Sequence, residues 1–172
     1  MSVLMHAPSR TVVVKSPLGD LTLMTQSGEL VGLNFSRCLP APTNSTLAPR
    51  HAGGGENMVA ELDEYFAGSR RRFALPLRVI GSDFDQRVWS LTSDIPYGET
   101  TTYGELASRM GDGTTARKVG AALGRNPLCI VIPCHRVVGA DGRLTGYAGG
   151  LHRKQFLLDL EERVEGNPGR LF

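Results

Sequence analysis

Three apolar-rich runs open the chain, Thr11 to Lys15, Leu21 to Thr25 and Leu30 to Phe35. They are separated by Pro17-Leu18-Gly19-Asp20 and Ser27-Gly28-Glu29, both good turn sequences, so the first third is predicted to be antiparallel β. Residues 39–55 hold three Pro, three consecutive Gly and scattered Ser, Thr and Asn, and read as a mobile loop. From Met58 the period lengthens: Val59, Leu62, Tyr65 and Phe66 share a helical face that stops at Gly68. The Arg70 to Arg72 run then reads as a solvated edge, and Phe73 to Ile80 as one more strand or a linker.

The second half is mostly helical. Ser82 with Asp85 has the spacing of a capping box, and Phe84, Val88 and Leu91 mark a core face ending near Pro96. Thr102 with Glu105 repeats the box before Tyr103, Leu106, Ala107 and Met110. Beyond Gly111-Asp112-Gly113 a second short helix, Thr114 to Gly124, completes a helix-turn-helix pattern, which a plain helical hairpin would share. Leu128 to Ile132 is strand-like, ends in Pro133-Cys134-His135-Arg136 and continues as Val137-Val138-Gly139. A last helix, His152 to Glu165, turns Phe156, Leu157, Leu160 and Val164 inward. The boundary between two small domains is placed at residues 78 and 79.

Composition changes this picture in two respects. With 172 residues, 41% hydrophobic and 21% charged, the chain is an ordinary globular one, and disorder and collagen are excluded. Aromatics at 6% leave no stacking stripe for single strands. No apolar run approaches the length of a membrane span and the first ten residues lack a secretory core, so the expected location is cytoplasmic, with no membrane partner. The net charge of +2 divides unevenly: −1 over residues 1–100, +5 over 101–154 and −2 over 155–172. A local excess of that kind suits a polyanion, although a solvated basic face would look the same.

The second short helix carries few long side chains. Ala116, Val119 and Leu123 should pack inward, leaving Arg117, Ala121 and Gly124 outside. Gly120 costs about 1 kcal/mol against Ala within a helix, which suggests a close approach. Major-groove readers present several long polar side chains, whereas a smooth face with one Arg suits the minor groove. Tight helix-on-helix packing through small residues explains the same face, and both readings stand.

Of the three cysteines, Cys38, Cys129 and Cys134, none forms a CxxC pair, so neither disulfides nor a zinc ribbon is indicated. Cys129 has no evident titratable neighbour and reads as a buried small hydrophobe, and Cys38 shows no activating partner. Cys134 is followed directly by His135 and Arg136, the groups that stabilise a thiolate or take its proton. Because neighbours on an extended chain face opposite ways, the base is expected to reach the sulfur through a water. The loop Gly146-Tyr147-Ala148-Gly149-Gly150 could approach a flat ligand, and Glu161 is either a solvated carboxylate or the group that orients a histidine.

Ile132-Pro133-Cys134-His135-Arg136-Val137, with Asn126 eight positions before the cysteine and the glycine loop after it, closely resembles the O6-alkylguanine-DNA alkyltransferases. Phe84 through Val88-Trp89, Ile95-Pro96-Tyr97-Gly98-Glu99-Thr100 and Tyr103-Gly104-Glu105-Leu106-Ala107 are similar to the same family. The resemblance covers about residues 82–162 and extends more weakly to the Ser16-Pro17-Leu18-Gly19 turn. It implies an α+β protein: an N-terminal RNase H-like α/β domain and a helical, winged-helix-like C-terminal domain whose helix-turn-helix lies in the minor groove of duplex DNA. It further implies that Cys134 accepts the alkyl group once and irreversibly, activated through a water by His135, which Glu161 orients. Tyr103 would crowd a phosphate and donate to guanine N3, Arg117 would fill the vacated stack, and Asn126 would brace the active-site turn. Thr115, Ala116, Gly120, Ala121 and Arg125 complete the implied DNA contact. The implied base pocket comprises Val137, Tyr147, Ala148, Gly149 and Gly150.

Ala148 stands where many members have serine, so a hydroxyl for O6 is missing and the range of alkyl groups is in question. No metal and no cofactor are expected. The implied substrate is duplex DNA bearing O6-alkylguanine, with O4-alkylthymine as a further candidate. The free chain is expected to be monomeric, and cooperative assembly on DNA is open. A non-enzymatic lesion-binding or regulatory helix-turn-helix protein is the alternative, and Cys134 argues against the former. A cysteine hydrolase would show turnover, for which only His135 speaks.

Overall fold

The structure, a computed structural model, describes residues 9–36 and 56–166, so the expected 39–55 loop and Cys38 lie outside the described residues. Strands β1 (Ser9–Ser16), β2 (Gly19–Gln26) and β3 (Glu29–Phe35) form an antiparallel meander in that order. Ser27 and Gly28 both take positive φ, 54° and 82°, which is what a two-residue turn matching strand twist requires. One face of the sheet buries Leu21, Leu23, Leu33 and Phe35. Helix α1 (Glu56–Phe66) contributes Met58, Leu62 and Tyr65 to the same core. Residues 73–80 make no strand of their own. Leu77 bridges Leu30 alone, with the Leu30 amide donating to Pro76 and the Arg78 amide to Leu30. The arginine run lies at the surface as expected, with Arg71 and Arg72 exposed, and it is ion-paired there: Arg70 with Glu61 and Glu64, and Arg71 with Glu165.

The second half holds α2 (Asp83–Ser93), β4 (Thr101–Thr102), α3 (Tyr103–Met110), α4 (Ala116–Gly124), β5 (Val137–Val138) and α5 (Leu151–Glu165). The full capping box forms at Thr102 and Glu105. Ser82 caps α2 by accepting from the Asp85 amide, and the Asp85 carboxylate pairs with Arg125 at 2.6 Å, tying α2 to the end of α4. Trp89 adds a second tie, its indole N–H donating to the Ala122 carbonyl. On α4 the inward face is Val119, Ala122 and Leu123, while Ala116 is exposed, so that expectation is corrected. The helix begins only after its Thr115 cap, and this first-turn residue has no neighbouring turn to cover it.

Leu128 to Ile132 is also not a strand. The Ile132 amide reaches back to Leu128, and Ile130 sits at φ 75°, closing a tight turn against β3. The Cys129 amide donates to Leu33 and the Leu33 amide to Pro127, so the turn is anchored on the N-terminal sheet. Cys134–Arg136 follow as a single 3-10 turn, after which β5 pairs in parallel with β4. The result is a mixed α+β chain in which buried residues from the N-terminal sheet, α1 and the later helices pack into one continuous core.

Candidate active site

Asn126 organises the turn that carries the thiol. Its side-chain amide donates to the Ile132 carbonyl at 2.9 Å and to Cys134 Sγ at 3.2 Å, while its oxygen accepts from the Leu128 amide. The sequence therefore places a polar bracket inside the turn, where buried polar groups must find partners or destabilise it. Cys134 is buried, and its thiol is held below the usual range. The first cause is a hydrogen bond with Cys129, followed by the Asn126 bond and the charge of Lys154, which together outweigh burial. Cys129 is thus a neighbour of the Cys134 sulfur, contrary to its reading as an isolated hydrophobe. The turn at Ile130 folds the chain back and brings residues five apart together.

Glu161, on α5, is 1% exposed and gathers five donors. Oε1 accepts from Tyr65 at 2.6 Å, His135 Nε2 at 2.8 Å and Arg136 Nη2 at 2.9 Å. Oε2 accepts from Arg136 Nε at 2.8 Å and the Gly98 amide at 3.1 Å. Burial alone would raise this carboxyl, but His135 and Arg136 overcome it and hold it well below the usual carboxylate range. An ionised Glu161 fixes the tautomer of His135: Nε2 must carry the hydrogen it donates, leaving Nδ1 a lone pair. Nδ1 is buried and has no hydrogen-bond partner, so Cys134 Sγ does not bond it directly. Burial pushes His135 below its ordinary value, against the pull of Glu161, and the ring is a neutral base at pH 7.

Above the sulfur opens a cavity of about 600 Å³, lined by Cys134, Tyr103, Tyr147 and Ala148 on one side and by Ala116, Arg117 and Gly120 of α4 on the other. Tyr103 donates its hydroxyl hydrogen to the Thr145 carbonyl at 2.8 Å, and burial raises its pKa, so it is a protonated phenol. Gly149 lies behind this wall: a Cβ there would come within 2.5 Å of the Phe35 ring and 2.8 Å of Tyr147. Gly150, at φ 88°, caps α5. Val137 is fully buried outside the cavity lining, and its carbonyl accepts from Lys154 Nζ at 2.6 Å.

Lys154 was not anticipated from the sequence. Its side chain is 0% exposed, and Nζ also reaches the Thr145 carbonyl at 3.0 Å and Tyr103 Oη at 3.5 Å. Desolvation lowers its pKa to about 8. It lies three residues before Leu157 on the inward stripe of α5, a position where a charged residue signals a buried partner.

Among the DNA-contact candidates, Arg117 stands exposed at the cavity rim with Ala116 and Gly120 beside it. Thr115 caps α4, Ala121 is exposed on its outer surface, and Arg125 is bound to Asp85. A Cβ on Gly120 would sit 3.7 Å from the Tyr103 ring, an ordinary contact, so nothing inside the protein demands glycine there.

Fold and site together define a class: a sheet domain packed on a helix-turn-helix domain, with a poised thiol opening beneath the second helix. Residues 83–163 match the 6-O-methylguanine DNA methyltransferase DNA-binding domain, and residues 10–79 the ribonuclease-like domain of the same proteins. The methylated-DNA–protein-cysteine methyltransferase of Mycobacterium tuberculosis is 44% identical over 149 residues, 87% of this chain and 90% of its own. That of Methanosarcina barkeri is 53% identical over 153 residues, covering 87% and 95%. The crystal structure of the M. tuberculosis O6-methylguanine methyltransferase superposes with TM-score 0.82 at 41% identity, covering 95% of this chain and 97% of that one. That organism's OGT in complex with DNA gives 0.81 at 44%, covering 90% and 93%. The chain belongs to the O6-methylguanine DNA methyltransferase family, a family of DNA-repair proteins that transfer an alkyl group to a cysteine of their own.

Proposed function

We propose that Cys134 is the acceptor, and that it takes the alkyl group from O6-alkylguanine flipped out of duplex DNA into the cavity above it. The observation that carries this reading is the pairing of a depressed thiol with a neutral histidine whose Nδ1 lone pair is unpartnered. The thiol proton passes through a water to Nδ1, and Glu161 compensates the imidazolium that forms. Sulfur then attacks the alkyl carbon in line, the carbon–O6 bond breaks, and its electron pair goes to the guanine. Tyr103, once released from Thr145 by the entering base, donates its hydrogen bond at N3 as that charge develops. The product is a thioether with no carbonyl for water to attack, so the protein reacts once.

Arg117 fills the vacated stack, and the smooth face of α4 approaches the minor groove, where one long side chain suffices. The +5 segment, residues 101–154, supplies phosphate contacts and makes affinity salt-dependent. With Ala148 in the wall, only backbone there can serve O6, while O4-alkylthymine fits the same chemistry. The reading takes the free chain as a monomer in the cytoplasm, where Cys129 and Cys134 stay reduced. Incubation with an O6-methylguanine duplex, followed by peptide mass spectrometry, tests it. The Cys134 peptide gains one methyl group and Cys134→Ser gains none; a methyl elsewhere, or nowhere, overturns the assignment.

A further inference from the structure

Tyr65 comes from α1 of the N-terminal domain, yet its hydroxyl ends inside the carboxylate–histidine pair of the other domain. The residue is 1% exposed. Its ring is fixed edge-on by Phe66 and Tyr97, with centroids at 5.5 and 6.0 Å, and tilted against Phe73 at 5.4 Å. The hydroxyl donates to Glu161 Oε1 at 2.6 Å and lies 3.5 Å from His135 Nε2. It therefore shares one oxygen with the histidine it sits beside. A donor at 2.6 Å draws charge from that oxygen, and whatever Tyr65 withdraws is not available to stabilise a proton on His135.

We propose that Tyr65 is a positioning residue for the alkyl transfer: its hydrogen bond to Glu161 Oε1 limits how strongly the carboxylate holds a proton on His135, keeping Nδ1 free to act as the base. The inference rests on the proposed role of Cys134 and His135. The other groups acting on this pair are Arg136, which bonds both Glu161 oxygens, the Gly98 amide, Tyr97 beside the Arg136 guanidinium, and the charge of Lys154. None of them depends on the Tyr65 hydroxyl for a hydrogen bond of its own. Burial and the neighbouring carboxylate keep the Tyr65 hydroxyl protonated well beyond the ordinary tyrosine range, so it is a donor throughout the working pH. The N-terminal domain thus supplies part of the chemistry.

The test is the single-turnover methyl-transfer rate of the full chain against pH, for wild type, Tyr65→Phe and a chain carrying 3-fluorotyrosine at position 65. Phenylalanine keeps the packed ring and removes the donor. The acid limb then moves up by about 0.5 to 1 pH unit, and the His135 ring titration followed by NMR moves with it. Fluorination strengthens the donor and moves both the other way. Tyr97→Phe, which deletes a buried hydroxyl without a partner, leaves both where they were. If wild type transfers methyl and all four profiles superimpose, Tyr65 is packing alone and the inference falls. If wild type itself transfers none, the failure belongs to the reading of Cys134. A Tyr65→Phe chain that does not fold leaves the fluorotyrosine shift to decide, and its absence is equally fatal.

Discussion

Replacing Glu161 by Gln tests whether the buried carboxylate holds the domains together as well as orienting the base. Glutamine keeps the shape but removes the charge and turns one acceptor into a donor. Whichever way the amide lies, its NH2 meets N–H or O–H donors: Tyr65, His135 and Arg136 Nη2 on one side, Arg136 Nε and the Gly98 amide on the other. Arg136, only 7% exposed, keeps the Ile95 carbonyl and one bond to the glutamine oxygen, but loses the other bond and the charge that offsets its own. Breaking a buried pair by removing one partner costs about 3–5 kcal/mol. For a chain of this size that corresponds to a fall in Tm of about 6–20 °C.

Urea unfolding of Cys134→Ser and of Cys134→Ser/Glu161→Gln measures the cost without interference from alkylation. The gap has a signature in pH. Because the folded Glu161 pKa is depressed below its ordinary 4.5, its contribution is complete above that value and drains away as pH falls toward the folded pKa. The two curves therefore converge in acid. Adding Arg136→Met to Glu161→Gln recovers part of the loss, since the stranded guanidinium is gone. A loss below about 1 kcal/mol at pH 7, or a gap that widens in acid, refutes the reasoning.

Gly120→Ala stabilises the free protein by about 0.8–1 kcal/mol, since the added methyl meets only an ordinary contact with Tyr103, yet it weakens binding to duplex DNA; paired urea and fluorescence-anisotropy titrations check both signs. Lys154 is protonated in both states below pH 8 and only in the unfolded chain between about 8 and 10.5. In a Cys134→Ser background the native lysine thus gains stability over that window relative to Lys154→Met, by up to about 3 kcal/mol, and urea unfolding at pH 7.5 and 10 reads the change.

The strands and helices were legible because each announces itself locally. The apolar run Val12-Val13-Val14 before its turn and the Thr102–Glu105 cap are readable without any distant partner. The segment 128–132 was not. Five apolar residues between two prolines read alike as strand or turn, and the deciding feature, positive φ at Ile130, is carried by a β-branched residue that gives no local warning. Three-dimensional consequences of that turn were hidden with it, above all the approach of Cys129 to Cys134. Cys134, His135, Glu161 and Asn126 could be named because a motif ties them together. Tyr65 could not, since it falls on the helical period of Val59, Leu62 and Phe66 and reads as one more core residue.

What the motif does not display is why a carboxylate can be buried at all. A charge 1% exposed is tolerable only when its hydrogen-bonding capacity is filled, and Glu161 draws donors from α1, from the Gly98 loop and from the cysteine turn. No single segment could satisfy it. The same arrangement bears on the proposed chemistry: the full set of donors keeps Glu161 ionised, the ionised carboxylate fixes the hydrogen on His135 Nε2, and that hydrogen leaves the Nδ1 lone pair without a partner. Severing the N-terminal sheet and α1 from the rest would remove the Leu33 anchors of the cysteine turn and the Tyr65 donor at one stroke. In the proposed reading the sheet domain, which has no cysteine among its described residues, is thereby part of the machinery that activates Cys134.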